Sequence, residues 1–175
     1  MSLRFPCLPT FFVSAVFSLT QLNGSEQKVK ALGGRLFHKK GEVVEVVLNG
    51  AGLKPGGLKF LAGFRQLTDL SLEKTSADDE DMAVVAKLPN LEWLNLYRTQ
   101  VGDEGARHLC RSKSLKLLPA GETRITDAGV SHLSRAVQLT YLGLRGNRIT
   151  DKSAPHLAKM INLEGLYLGE TQVTD

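Results

Sequence analysis

The stretch LYRTQVGDEGARHL, Leu96–Leu109, decides how this chain is read, because close variants return as ETRITDAGVSHL at Glu122–Leu133 and RGNRITDKSAPHL at Arg145–Leu157. Each copy spells an apolar residue, then Thr or Gly, then Asp, then a run with helical spacing. A hydroxyl just ahead of a helix caps free backbone amides, and a carboxylate in the first turn meets the positive end of the helix dipole. Thr126, Thr150 and Thr174 precede Asp127, Asp151 and Asp175 in this way. Pro55 takes the Asp slot one unit earlier, where its fixed φ suits the first helical position. The phrase marks a strand exit followed by a helix start.

Working outward, Leu67, Leu91, Leu115, Leu139 and Leu163 fall in register, each 24 residues after the last. Leu91, Leu94, Leu96, Thr99 and Val101 define a frame that Leu139, Leu142, Leu144, Asn147 and Ile149 repeat, and Val43, Val46, Leu48, Ala51 and Leu53 fit it one unit ahead of Leu67. The fourth and sixth residues of each unit alternate with polar or small neighbours, which is the period of a strand with one buried face. Later the spacing turns helical: Ala106 and Leu109, Val130 and Leu133, Ala154 and Leu157 lie three apart. Position 20 holds Ala62, Ala86, Cys110, Ser134 and Ala158, all small, as expected where helices press on the layer beneath. A fixed period in this range marks a solenoid.

This pattern resembles bacterial leucine-rich repeat proteins with 24-residue, ribonuclease-inhibitor-like units of the form L-x-x-L-x-L-x-x-T-x-[VI]-T-D-x-G. The resemblance spans about Val43–Asp175, as five full units and a truncated sixth. It implies a right-handed α/β solenoid with a parallel sheet on the concave side and helices on the convex side. It also implies a non-catalytic module that binds a protein partner on the concave face. Two departures stand out. The turn Asn of such repeats is Thr at Thr75, Thr99, Thr123 and Thr171, remaining Asn only at Asn147. Pro119 and Ala120 replace a strand residue and a core Leu, which should remove a ladder bond and thin the packing.

Upstream, residues 25–42 read as a cap for the first open layer. A short helix from about Ser25 to Leu32 stops at Gly33 and Gly34, and a strand near Arg35–His38 turns back into the first repeat strand. Before it, residues 1–24 read as a signal peptide: one Arg, Arg4, then an apolar run from Phe5 to Phe17, too short to span a bilayer. That reading implies a secreted, periplasmic or cell-surface protein without an integral membrane span; absent cleavage, the chain stays cytoplasmic. At the other end the sequence stops just before its next helix, so a longer array, or the recognition part of a larger multidomain protein, is the expectation.

The 175 residues are 42% apolar, enough to bury one core or one elongated stack without disulfides. Cys7 and Cys110 do not amount to a disulfide framework. The net charge is +4, but 22 basic and 18 acidic residues are interspersed, so nucleic acid is not implied.

Residues two, three, five, seven and eight of each unit should face the concave side or its rim. There the only Trp and all three Tyr collect, giving Trp93, Asn95, Tyr97, Arg98, Tyr141, Arg145 and Tyr167 as candidate partner-binding residues. Trp, Tyr and Arg anchor interfaces; the plainer reading is that aromatics simply pack along a strand surface. The same rings could stack on a glycan or cell-surface polymer, which is the alternative ligand. Six strands at about 4.8 Å spacing by roughly five residues give about 400 Å² in projection. A standard footprint is about 800 Å² per partner. Modest affinity or a longer array follows.

Other chemistry finds little support. His108, His132 and His156 recur once per helix without a second ligand at i+3 or i+4, so no metal or other cofactor is expected. Cys110 sits in the small column, where a thiol is inert. The stretch GAGLKPGG at Gly50–Gly57 lacks phosphate-loop spacing. Lys87, Arg111, Arg135 and Lys159 at position 21 match helix C-terminal ends. No enzyme is predicted.

Overall fold

The aligned leucines turn inward. In the computed structural model, which describes residues 24–174, Leu67, Leu91, Leu115 and Leu139 are each at most 1% exposed and share one core with Leu70, Leu94, Leu118 and Leu142. The expected signal peptide, Cys7 and Asp175 lie outside the described residues. Within them, helix α1 (residues 24–31) leads to strand β1 (Arg35–Lys39), which pairs antiparallel with β2 (Glu42–Val47). Strands β3 (Asp69–Ser71), β4 (Trp93–Asn95), β5 (Leu117–Pro119), β6 (Tyr141–Gly143) and β7 (Gly165–Tyr167) then add in parallel, in chain order. Between them run a 3₁₀ helix (Gly57–Gly63), α2 (Asp79–Val85), α3 (Asp103–Leu109) and α4 (Asp127–Leu133). A 3₁₀ turn (Asp151–Ser153) then runs into α5 (Ala154–Leu157). No described helix is long and apolar enough to cross a membrane.

The cap segment lies at the first edge of the sheet. Val29 of α1 is fully buried, and a methyl group on Gly34 would meet Leu48 Cδ2 at 2.7 Å, so the chain there can approach the core only as glycine. At the other edge Leu166 is 43% exposed and Leu168 half-buried.

The helix-start phrase does more than cap its own helix. Asp103 Oδ1 accepts the Thr126 amide at 2.7 Å and the Gly129 amide at 2.9 Å, while its Oδ2 accepts the Thr126 hydroxyl at 2.7 Å. Asp127 takes the Thr150 amide and hydroxyl at 2.8 and 2.6 Å, and Asp151 takes those of Thr174, both at 2.8 Å. Asp79 accepts the Gly102 amide at 2.6 Å. Each carboxylate therefore satisfies helix-start donors of the following repeat, which the dipole reading of the sequence does not anticipate. The threonines still cap locally, Thr126 to the Ala128 amide and Thr150 to that of Lys152.

Two expectations need correction. Pro55 does not begin a helix: the chain turns through Gly56 in left-handed conformation, and a 3₁₀ helix starts at Gly57. Without an Asp in that slot the link reverses, and buried Asp81 accepts the Leu58 amide at 3.0 Å from the repeat behind it. Position 20 packs on the core only in the middle units, where Ala86 and Cys110 touch it. Ala62 and Ala158 are exposed, and Ala86, Cys110 and Ser134 half-buried. Close contact occurs instead at Gly105 and Gly129, where an added Cβ would stand 2.7 and 2.5 Å from Asp79 Oδ1 and Asp103 Oδ1. The Thr-for-Asn exchange has its own geometry. Thr75, Thr99, Thr123 and Thr171 donate to the carbonyl three residues back at 2.6–3.0 Å, closing the turn within one repeat. Asn147 reaches the preceding repeat, accepting the Thr123 amide at 2.7 Å and donating to Ala120 O at 2.9 Å.

The ladder expectation at Pro119 holds. The β4–β5 register shrinks to the single pair Trp93 and Leu117, where β3–β4 and β5–β6 each keep three pairs, because Pro119 has no amide hydrogen to give.

Asp103→Ala should cost about 1–3 kcal/mol in urea unfolding, since it strands backbone donors. Gly129→Ala should cost about 1–3 kcal/mol by overpacking. In the double variant the total should fall below the sum, because the oxygen that a Cβ would strike is gone; strict additivity would refute the contact.

Asp127 and Asp151 titrate below the ordinary carboxylate range. Desolvation opposes this at Asp127, but hydrogen bonds from Ser153 and Thr150 together outweigh it; at Asp151 the Thr174 amide and hydroxyl act directly. The unfolded chain, with carboxyls near about 3.9, thus binds more protons than the native state in that window. Stability contributed by these groups is present above that value and lost as pH falls through the lowered pKa values. Asp81 has the opposite sign, its pKa raised chiefly by burial. Replacing Asp127 and Asp151 by Asn should flatten the acid limb of the stability curve, measured by circular dichroism.

Candidate partner-binding face

The parallel register draws residue three of every unit into one line across the sheet: Glu45, Asp69, Trp93, Leu117, Tyr141 and Gly165 pair in succession. Trp93 and Tyr141 are half-buried, and Leu117 between them is 38% exposed. The row thus begins with two carboxylates and continues as three adjacent apolar side chains. Tyr167, 51% exposed, stands two residues along β7 from the end of the row.

Glycines of the following repeat make room for the rings. A Cβ on Gly165 would lie 2.7 Å from Tyr141 Cδ2, and one on Gly121 would lie 3.2 Å from Tyr97 Cδ2. Tyr141 and Tyr97 therefore lean over the following repeat and cover backbone that carries no side chain. This packing is part of what the plainer reading of the aromatics foresaw, yet each ring keeps a solvent-facing side.

The polar candidates are already engaged. Asn95 accepts the Tyr97 amide at 3.0 Å and donates to Ser71 Oγ at 3.3 Å, so it shapes the strand end. Arg98 donates through Nε to Glu122 Oε2 at 2.6 Å and through a terminal nitrogen to Oε1 at 3.2 Å. Its guanidinium lies 5.2 Å from the centroid of the Tyr97 ring, and the Tyr97 hydroxyl donates to the same Glu122 carboxylate. Arg145 pairs with Glu170. The structure thus brings Tyr97, Arg98 and Glu122 into one cluster, with Arg145 and Glu170 beside it, while Trp93, Leu117 and Tyr141 form the row.

Glu122, Glu170 and Leu117 are members that sequence reasoning missed. The available signal was opposite charge one repeat apart, Arg98 with Glu122 and Arg145 with Glu170. Less visible was the backbone: position eight is left-handed in every unit, at Gly50, Lys74, Arg98, Glu122, Gly146 and Glu170, with φ between 50 and 70°. Four of the six carry a charged side chain where glycine would be unstrained. Hydrogen bonds from Arg98 and Tyr97 hold the Glu122 carboxyl below its usual range, and the bond to Glu122 pushes the Tyr97 phenol up.

On the helical side, His108, His132 and His156 are half-buried, one per helix, and no group of three or more metal-ligating side chains exists among the described residues. Cys110 is half-buried, not buried, and its Sγ lies 3.2 Å from Arg107 O.

No protein-family model matches the chain, and no curated protein matches it. Among solved structures, an internalin (inlF) from Listeria monocytogenes aligns over 74% of this chain with a TM-score of 0.61 and 24% identity. The LRR ectodomain of the Arabidopsis thaliana receptor kinase GASSHO1/SCHENGEN3, solved in complex with CASPARIAN STRIP INTEGRITY FACTOR 2, aligns over 79% with a TM-score of 0.56 and 18% identity. The fold is the leucine-rich repeat solenoid. A second internalin, inlC2, aligns over 89% of this chain and 85% of its own, with a TM-score of 0.51 and 18% identity. This leucine-rich repeat chain spans 35% of the inlF chain and 17% of the plant ectodomain.

Replacing Glu122 by Gln should lower the Tyr97 phenol toward its ordinary value of about 10, followed by NMR titration of the labelled ring. An unmoved Tyr97 titration would show that the pair does not form in solution.

Proposed function

We propose that this chain is a non-catalytic recognition module that binds a protein partner across the sheet face. The carrying observation is the row Trp93, Leu117 and Tyr141, three large apolar side chains in register on a hydrogen-bonded sheet, none fully covered. Aromatic anchors held by a rigid platform lose little entropy on binding. The carboxylates Glu45 and Asp69 extend the same line, so an extended partner segment with apolar side chains over the row and a cationic group beyond Asp69 matches both ends. Arg98 and Arg145 contribute mainly shape, since each already holds a carboxylate. The proposed place of action is outside the cytoplasm, on the strength of the apolar run from Phe5 to Phe17. The plant ectodomain of like fold was solved with a bound factor, which accords with this reading without specifying a ligand here.

The test is capture of partner protein by the full chain, repeated with Trp93→Ala, Leu117→Ala and Tyr141→Ala. Each variant should weaken capture about tenfold or more, the range of interface anchors. Unchanged capture in all three would remove the row from the site. Loss of binding on a glycan array, with protein capture intact, would transfer the row to a saccharide ligand.

A further inference from the structure

We infer a second binding site, on the helical side of the first two repeats, for an acidic peptide segment carrying an apolar anchor. It arises from the sequence departure at Pro55. Pro55 stands in the slot of the helix-starting Asp of later units, Gly56 turns left-handed, and the first convex element is a 3₁₀ helix, narrower than α2, α3 and α4. Between it and α2 lies an open groove of about 610 Å³. Ala62, Val84 and Leu88 line its apolar floor, and Lys59, Arg65 and Lys87 stand around its rim.

The three cations are exposed, and none makes an ion pair among the described residues. Lys87 and Arg65 each follow a helix C-cap and so also face a helix end, whereas Lys59 lies inside the 3₁₀ helix, and none of the three has a carboxylate partner among those residues. Three like charges around one groove repel one another, and an anionic occupant removes that repulsion. Arg65 also offers a planar fork suited to a carboxylate.

The distribution of charge selects the occupant. A fatty acid has one carboxylate at one end of its chain and would leave two rim cations unmatched. Single-stranded nucleic acid would find phosphate partners, but the aliphatic floor presents no aromatic plane for its bases. A peptide with spaced Glu or Asp side chains and a Leu or Phe between them meets all the rim charges and fills the floor. The volume lies within the roughly 300–1,000 Å³ of sites that enclose small ligands. This site is separate from the sheet-face row and stands whether or not that row binds protein.

The experiment uses the full chain and a fluorescein-labelled peptide alternating Glu with Leu, read by anisotropy. Saturable binding should weaken about tenfold or more in the Arg65→Glu, Lys87→Glu double variant, and the Trp93→Ala variant should bind as the parent does. The double variant should in turn prefer the matching peptide of Lys and Leu, a gain that unfolding cannot mimic. Absence of saturable Glu-Leu binding, equal affinity in the charge-reversed chain, or equal binding of a peptide of Glu and Ser would overturn the proposal. Displacement of the peptide by a fatty acid that itself binds more tightly would overturn the peptide assignment.

Discussion

A carboxylate that reaches forward by one repeat sets the pitch of this solenoid. Leucine layers supply most of the stabilisation, since each buried side chain contributes about 1.5–3 kcal/mol, but burial has no direction and tolerates slippage. The hydrogen bonds from Thr126, Thr150 and Thr174 to Asp103, Asp127 and Asp151 do not. They demand one spacing between units, a hydroxyl ahead of the next helix, and a residue without bulk two positions beyond its first Asp. Gly129 meets the last demand by absence, and Ser153 by adding a hydrogen bond to Asp127. The strict 24-residue period is thus the imprint of a polar ladder laid over an apolar stack.

What could be read from the chain alone follows the same division. The buried leucines, the strands and most helix starts are periodic, so they announce themselves, and the ladder defect at Pro119 follows from its missing amide hydrogen. The forward reach of the aspartates is also periodic, yet periodicity cannot say whether a carboxylate serves its own helix or the next one. The left-handed turn at position eight was hidden because Lys74, Arg98, Glu122 and Glu170 are residues that avoid it. Pro55 misled for a related reason: its φ suits a helix start, but Gly56 and Gly57 behind it let the chain turn first. Of the site, the aromatic members were legible as a class on one face. Their supporting glutamates and glycines act through neighbours one repeat away and needed coordinates.

Those supports bear on how the face would work. Tyr97 and Tyr141 lean on glycines of the following repeat, and Tyr97 is further fixed by Glu122 and the Arg98 guanidinium. A side chain already held in place gives up little freedom on binding. The paired arginines have the reverse economy, because a partner carboxylate must compete with Glu122 or Glu170 for them. Net gain from Arg98 and Arg145 is therefore small, and the uncommitted apolar surface of Trp93, Leu117 and Tyr141 is where binding energy can come from.

That row also crosses the junction where the ladder lacks one hydrogen bond. Between β4 and β5 the paired register is Trp93 opposite Leu117, with the Leu96 and Arg98 amides still donating to the Pro119 and Gly121 carbonyls, and Ala120 stands where the neighbouring repeats place Leu. Asn147 offsets the loss from the far side, tying Thr123 and Ala120 to the next repeat. A ligand that touches Trp93 and Leu117 together spans the two strands beside the missing hydrogen bond. Binding there is thereby coupled to the stability of the β4–β5 junction, through a single proline in the strand that carries Leu117.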